Sequence, residues 1–355
     1  MKNYLSVFFL TVALIQTQAQ DRPSSIAEYI NILRYQNTGC IGTNNLEGVC
    51  LFSGDCDNKR GANIGGCANG YGICCLEKFT CGGSTSKNET VFVNPNYPFH
   101  GENGTNTCQV TVEKDEDICQ LRLDLIEFNL AQPDKNGQCT TDSFMVRSTV
   151  GERTMILCGD NGGQHMYIDM GRESGNPVVL SVVSNGNKMT RRWKIKISKI
   201  KCQSLDMAPT GCLQYYRSSS ELVRSFNWGP PTKGNVRYLS NLRYSVCIRV
   251  EENFCSIKWE TQPSDSFSWG SPFNGGAEGR QCNDDDFIEI YQGSTTGLVV
   301  GEDRFCGTRL LSKNVIISQV KPFILRVKSN GNATLNSRNS QTGFSLRYTQ
   351  LPCMF

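Results

Sequence analysis

The chain has 355 residues, 36 basic against 33 acidic side chains, and a formal charge of +3. This near-balance gives no support for nucleic-acid binding, which calls for a strongly basic face, and two histidines leave few options for catalysis by imidazole. Eighteen cysteines, none of them in the first 39 residues, point to complete pairing in an oxidising compartment.

The N-terminus, residues 1–19, reads as a secretory signal. Lys2 supplies positive charge, and Leu5 to Ile15 is an apolar run too short to span a bilayer. Thr17 and Ala19 are small residues at the −3 and −1 positions of a cleavage site. No later stretch approaches the ~20 apolar residues of a membrane helix, so no membrane span is expected and the mature protein is expected to be secreted. Asn88, Asn103 and Asn332 open Asn-x-Thr sequons and are candidate glycosylation sites. In the N-terminal segment 20–39, Ser25 and Glu28 have the spacing of a capping box for a short helix running through Leu33.

The cysteines then fall into three sets of six. The first, Cys40, Cys50, Cys56, Cys67, Cys74 and Cys75, closes a glycine-rich segment, 40–75, too small to bury a stable core without staples. Zinc is disfavoured because no histidine lies nearby and a secreted chain oxidises its thiols. The six-cysteine order and the ending Gly70-Tyr71-Gly72-Ile73-Cys74-Cys75 resemble the clip domain of arthropod extracellular proteins. That resemblance implies pairs Cys40–Cys74, Cys50–Cys67 and Cys56–Cys75. An unrelated knot with the same cysteine count is the alternative.

The second set, Cys81 to Cys202, reads as all-β. Cys119, Leu121, Leu123 and Leu125 alternate with Gln120, Arg122 and Asp124, the pattern of a half-buried strand. Phe144 and Val146 alternate too, and Val178–Val183 is an apolar run, interrupted by Ser181, expected to be covered on both faces. Trp193, Ile195 and Ile197 alternate with a dense basic patch, Arg191-Arg192, Lys194 and Lys196, which is read as the wet face of that strand. Short strands separated by Gly, Asn, Asp and Pro clusters argue for a β-sandwich. Cys81-Gly82, Asn94-Pro95-Asn96-Tyr97-Pro98, Cys139-x-x-Asp142-Ser143-Phe144 and Leu157-Cys158-Gly159 resemble the CUB domain. The resemblance implies Cys81–Cys108 and Cys139–Cys158.

A short linker, 203–211, leads to the third set, Cys212 to Cys353, which repeats the plan. Cys282-x-x-Asp285 precedes Phe287, Ile288 and Ile290. Phe305-Cys306-Gly307 matches the Cys-Gly step, and Gly343-Phe344-x-x-x-Tyr348 matches the closing motif of the CUB family. By the same plan the pairs are Cys212–Cys247 and Cys282–Cys306. Each unit carries two further cysteines at corresponding places, so Cys119–Cys202 and Cys255–Cys353 are expected as internal bridges. The expected architecture is mainly β: two CUB-like, jelly-roll-like β-sandwiches, 81–202 and 212–353, after a clip-like knot.

Sequence motifs for chemistry are sparse. Gly159-Asp160-Asn161-Gly162-Gly163 looks like a trypsin-type nucleophile segment with asparagine in place of serine. An amide cannot serve as that nucleophile, so the segment is read as a turn, with His165 as a loop residue. Many CUB domains hold calcium, a hard ion that needs several oxygens. Asp142 and Asp285 match one ligand of that set, Asn185 and Asn330 replace an aspartate, and Ala131 stands where a glutamate is expected. These are candidate ligands only, and folding is expected not to require calcium or another cofactor. CUB resemblance implies binding of extracellular proteins or glycans, whereas clip resemblance implies association with serine protease cascades. The reading is therefore a secreted, non-catalytic recognition protein. The alternatives are a non-enzymatic regulator of a serine protease cascade and a structural matrix or seminal-fluid protein.

Overall fold

The computed structural model describes residues 38–43, 47–58, 61–101, 104–148, 155–171, 177–186, 190–230, 236–263, 266–270, 275–282, 286–311, 313–331 and 341–353. The signal segment 1–19, residues 20–37, Asn103, Asp285 and Asn332 lie outside them. The chain divides into two compact units, Met1–Glu77 and Lys78–Phe355.

In the first unit, β1 (Gly39–Ile41), β2 (Glu47–Leu51), β3 (Ala62–Cys67) and β4 (Gly72–Phe79) form an antiparallel sheet in the order β1-β2-β4-β3. A helix of six residues, Ser53–Asn58, follows β2. The core is small, Leu51 with Cys56 and Cys75, so the covalent bridges Cys40–Cys74, Cys50–Cys67 and Cys56–Cys75 carry the compaction. Gly61 is required where the chain crosses them, since a Cβ there would lie 2.2 Å from Cys75 Sγ.

The second unit holds two sandwiches. The first contains β5 (Gly83–Thr85), β6 (Thr90–Val93), β7 (Asn106–Val112), β8 (Ile118–Asn129), β9 (Asp142–Arg147), β10 (Ile156–Leu157), β11 (Gln164–Asp169), β12 (Val178–Ser184) and β13 (Arg192–Lys201). One sheet runs β6-β13-β8-β11 and the other β10-β9-β12-β7-β5. The alternation of Leu121, Leu123 and Leu125 against Ile195, Ile197 and Trp193 supplies the inner face of the first sheet. Val178, Leu180 and Val182 supply the inner face of the second. Val179 and Val183 are half-buried, so β12 is fully covered on one face only. Its apolar run, interrupted only by Ser181, reflects a central position between β9 and β7.

The second sandwich contains β14 (Gln214–Tyr216), β15 (Ser220–Arg224), β16 (Arg243–Ile248), β17 (Phe254–Thr261), β18 (Phe267–Ser268), β19 (Gly276–Glu278), β20 (Phe287–Gly293), β21 (Glu302–Gly307), β22 (Val315–Ser318), β23 (Phe323–Lys328) and β24 (Gly343–Pro352). Its sheets run β15-β24-β17-β22 and β14-β16-β23-β20-β21-β19, with β18 on β24. With the short β18 and β19 set aside, this is the strand order of the first sandwich. The correspondence includes the parallel pairs β5–β7 and β14–β16 among otherwise antiparallel neighbours. The bridges Cys81–Cys108, Cys139–Cys158 and Cys119–Cys202 have counterparts in Cys212–Cys247, Cys282–Cys306 and Cys255–Cys353. No cysteine is free. Among the described residues no helix is long and apolar enough to cross a membrane.

Candidate functional site

Asp142 opens β9, three residues after the Cys139 bridge, and Arg191 immediately precedes β13. Both are 1% exposed. Arg191 Nε donates to Asp142 Oδ2 at 2.8 Å and Nη2 to Oδ1 at 2.9 Å, a two-pronged pair. The Ala131 amide adds a bond to Oδ2 at 2.9 Å and the Asn185 amide one to Oδ1 at 3.3 Å. Arg191 is therefore not part of the wet face that its basic neighbours suggest. It turns inward because a buried carboxylate needs a counter-charge. The other members of that patch, Arg192, Lys194 and Lys196, do face outward, where Arg192 pairs with Glu127 and Lys196 with Glu89.

The second sandwich builds the same corner around Asp286, one residue beyond Asp285. Asp286 is buried and accepts the Asn330 amide at 2.6 Å on Oδ1, as Asp142 accepts that of Asn185. The Tyr238 hydroxyl donates to Asp286 Oδ2 and accepts the Gly270 amide at 3.2 Å. Tyr238 stands here where Arg191 stands in the first sandwich.

These donors test the fit of calcium. Four N–H groups already converge on the Asp142 carboxylate, and a fixed guanidinium supplies its cation. Asn185 and Asn330 aim main-chain N–H groups at the carboxylates, and an N–H cannot ligate a metal. Among the described residues no group of three or more His, Cys, Asp or Glu side chains is placed to hold a metal ion. The residues at Asp142 and Asp286 do not fit calcium.

A second concentration of buried polar groups lies between the sandwiches. The Tyr167 amide on β11 donates to Leu213 O at 2.7 Å. Gln214 Nε2 donates to Gln164 Oε1 and to His165 O, each at 3.2 Å, and Gln164 Nε2 donates to Ser225 O at 3.1 Å. Asn227 accepts the Asp160 amide at 2.8 Å and gives its own amide to Asn161 Oδ1 at 2.7 Å. The linker lies against β8, where Gln120 exchanges two bonds of 2.9 Å with the Ala208 main chain. Amide side chains suit this role because each offers donors and an acceptor together, so most of a dry seam can satisfy itself, although Gln214 Oε1 is buried without a partner.

This joint absorbs both residues with conceivable chemistry. Asn161 Nδ2 donates to Cys158 O at 2.9 Å, and its Oδ1 holds Asn227. His165 lies on β11 rather than in a loop, and it is 8% exposed. Its Nε2 is 3.2 Å from the Tyr215 amide nitrogen, and its ring meets Tyr216 edge-on at 4.8 Å. Burial, aided by the nearby Arg122 cation, pushes the His165 pKa down to about 4. Gln214 and Asn227 carry no periodicity or motif, so sequence reasoning misses them. Of the candidate glycan acceptors, the described Asn88 is exposed, with its Oδ1 accepting the Lys199 amide at 2.6 Å.

Residues 209–351 match the animal CUB domain family. No curated protein matches the chain. Solved structures with similarity include the CUB1-EGF-CUB2 domains of rat MASP-1, at 15% identity over 75% of this chain and 99% of that one, TM-score 0.27. The Ca2+-bound CUB2 domain of MASP-1 is 16% identical over 33% of this chain and 98% of that one, TM-score 0.28. The extracellular region of zebrafish Gpr126/Adgrg6 is 10% identical over 74% and 35%, TM-score 0.29.

Proposed function

We propose, from the animal CUB domain at residues 209–351, that this is a secreted, non-catalytic recognition protein. Its two sandwiches, held as one body, bind extracellular proteins or glycans through their loops and faces. The observation that carries the reading is the joint. Gln164, His165, Gln214 and Asn227 fasten the sandwiches together, so recognition surfaces on both are presented at a fixed spacing, which lowers the ordering cost of binding. The test is affinity capture from the source body fluid with mass spectrometry, using the intact oxidised protein. Recovery of a receptor, matrix protein or glycoconjugate supports recognition. Labelling of the protein by an active-site serine probe, or turnover that copurifies with it, overturns the non-catalytic part.

One observation favours a second reading, a non-enzymatic regulator of an extracellular serine protease cascade. The knot exposes Ile41, Phe52 and Tyr71, apolar groups suited to docking. Capture of a protease by residues 20–80 alone, with none by residues 76–355, would put this reading first.

A further inference from the structure

The hairpin that joins β20 to β21 carries Leu298, Val299 and Val300, which are 77%, 65% and 77% exposed. Single exposed apolar residues are ordinary on a protein surface. Three large ones in succession occur at no other place among the described residues. Successive side chains diverge from the backbone, so the tip is bare on more than one side. Neither the joint nor the buried corners use it. The Asp286 corner lies where β20 begins, and the tip lies beyond the strand's other end.

The base of this hairpin is fixed. Ser294 and Ile317 of β22 exchange main-chain bonds of 3.0 and 2.7 Å. The Gly297 amide donates to Ser294 Oγ at 2.9 Å, and Gln319 Nε2 donates to Gly297 O at 2.7 Å. Gly301 closes the other side, where a Cβ would lie 1.8 Å from Gly293 O. A tip held in this way gives up little freedom on docking. Its apolar surface is left in water by the free protein and gains by being covered.

Charge selects the kind of cover. Ile248 of β16 is register partner to Phe323 of β23, and Gln319 reaches the hairpin, so the turns after β16, β20 and β22 share one end of the sandwich. With the start of β21 they carry Glu251, Glu252, Glu302 and Asp303 against Arg249 and Lys321. Arg249 is taken up by Glu251, and Arg217 at the same end by Asp206. Glu302 and Asp303, directly after the tip, are exposed and have no cationic partner among the described residues. The basic residues of this sandwich outside the described set are Lys233 and Arg338. The described flanks of their stretches meet at the opposite end, where the Tyr238 amide donates to Gln341 O and the Asn241 amide to Asn330 O. Firm attachment to a bilayer joins apolar insertion to basic charge, and here the second signal has the wrong sign. We propose that the tip inserts into an apolar cleft of a partner protein whose rim is basic. The inference rests on the extracellular recognition reading and names a docking element and a partner chemistry for it. Val299 is the central anchor, with Leu298 and Val300 against the walls of the cleft.

The test replaces Val299 by photoreactive p-benzoylphenylalanine in the intact oxidised protein and irradiates it in the source body fluid. Adducts mapped onto the partner by mass spectrometry should lie in an apolar cleft bordered by Lys or Arg. Calorimetry with that purified partner then compares variants, each checked for an unchanged melting curve. We expect a loss of about tenfold for Leu298→Ser and for Val299→Ser. Glu302→Gln should lose about threefold, and added salt should weaken wild-type binding. Leu205→Ser, at an exposed leucine of the linker, should change nothing. Adducts in a polar or acid-rimmed site, or equal affinities of wild type and Val299→Ser, would overturn the proposal. So would flotation on phosphatidylcholine vesicles, or a dimer in sedimentation, that Val299→Ser abolishes. A partner that binds wild type and a combined Leu298→Ser, Val299→Ser and Val300→Ser variant alike sinks this inference alone and leaves the recognition reading standing. No partner for either protein sinks both.

Discussion

A Cβ on Gly159 would stand 2.0 Å from Asn227 Oδ1, so the two sandwiches meet at a point where even a methyl group has no room. Gly159 also has φ +78°, a conformation that L side chains rarely adopt. Two independent constraints therefore fall on one residue of the Cys158-Gly159 step, one from the local turn and one from the neighbouring sandwich.

Substituting Asn227 should loosen that contact without touching either core. Asn227→Ala removes acceptors for the Asp160 amide and donors to Gln132 and Arg237. We expect a loss of about 2–3 kcal/mol. The two sandwiches should then melt in separate calorimetric transitions where the wild type shows one. A single transition with unchanged midpoint would show that the amide seam does not couple them.

The Arg191–Asp142 pair should be costly to break and cheap to replace. Arg191→Met leaves a buried carboxylate without its cation and should cost about 3–5 kcal/mol. The double change Arg191→Met with Asp142→Leu should recover a large part of it. Urea unfolding of the single and double variants measures the difference, and a double variant no better than Arg191→Met would contradict the account.

Calcium should have no effect on wild-type stability, because a ligand stabilises only by binding the folded state. Melting curves in excess chelator and in millimolar calcium should superimpose. A rise in midpoint with calcium would mean that ligands outside Asp142 and Asp286 assemble a site.

Acid should weaken the protein through His165. Its folded pKa of about 4 lies below the ordinary value of 6.5. Between these values the unfolded chain binds the extra proton, so the contribution is fully present above about pH 6.5. It is lost as pH falls through that window and is flat below pH 4. The size is about 3 kcal/mol. In His165→Gln the slope of stability between pH 6.5 and 4 should shrink accordingly. An unchanged slope would assign the acid sensitivity to other groups.

The strands were the legible part of this chain. Leu121, Leu123 and Leu125, and Trp193, Ile195 and Ile197, alternate in sequence and line one core in the structure. Arg191 was not legible. It sits at the start of a basic, alternating stretch, and its partner Asp142 is 49 residues away in the chain. His165 stands out in the sequence for its chemistry, but its place on a strand is hidden, because Gln164, His165, Met166 and Tyr167 are all buried and so show no alternation. One face of β11 meets its own core and the other meets the second sandwich, so neither a period of two nor a turn signal marks it. Asn227 and Gln214 act through amide geometry, which leaves no trace in a hydrophobic pattern.

The bridges form closed covalent circuits, and this changes what a cut backbone can do. Cys119–Cys202 encloses Cys139–Cys158, and Cys255–Cys353 encloses Cys282–Cys306. A protease that cleaves any loop inside either outer circuit leaves both new ends tethered to the same molecule. Between Cys40 and Cys353, the bridges leave only the stretches 76–80, 109–118, 203–211 and 248–254 where a single cut parts the chain. In a proteolytic fluid the protein can be nicked once within each circuit and still migrate as one piece until it is reduced.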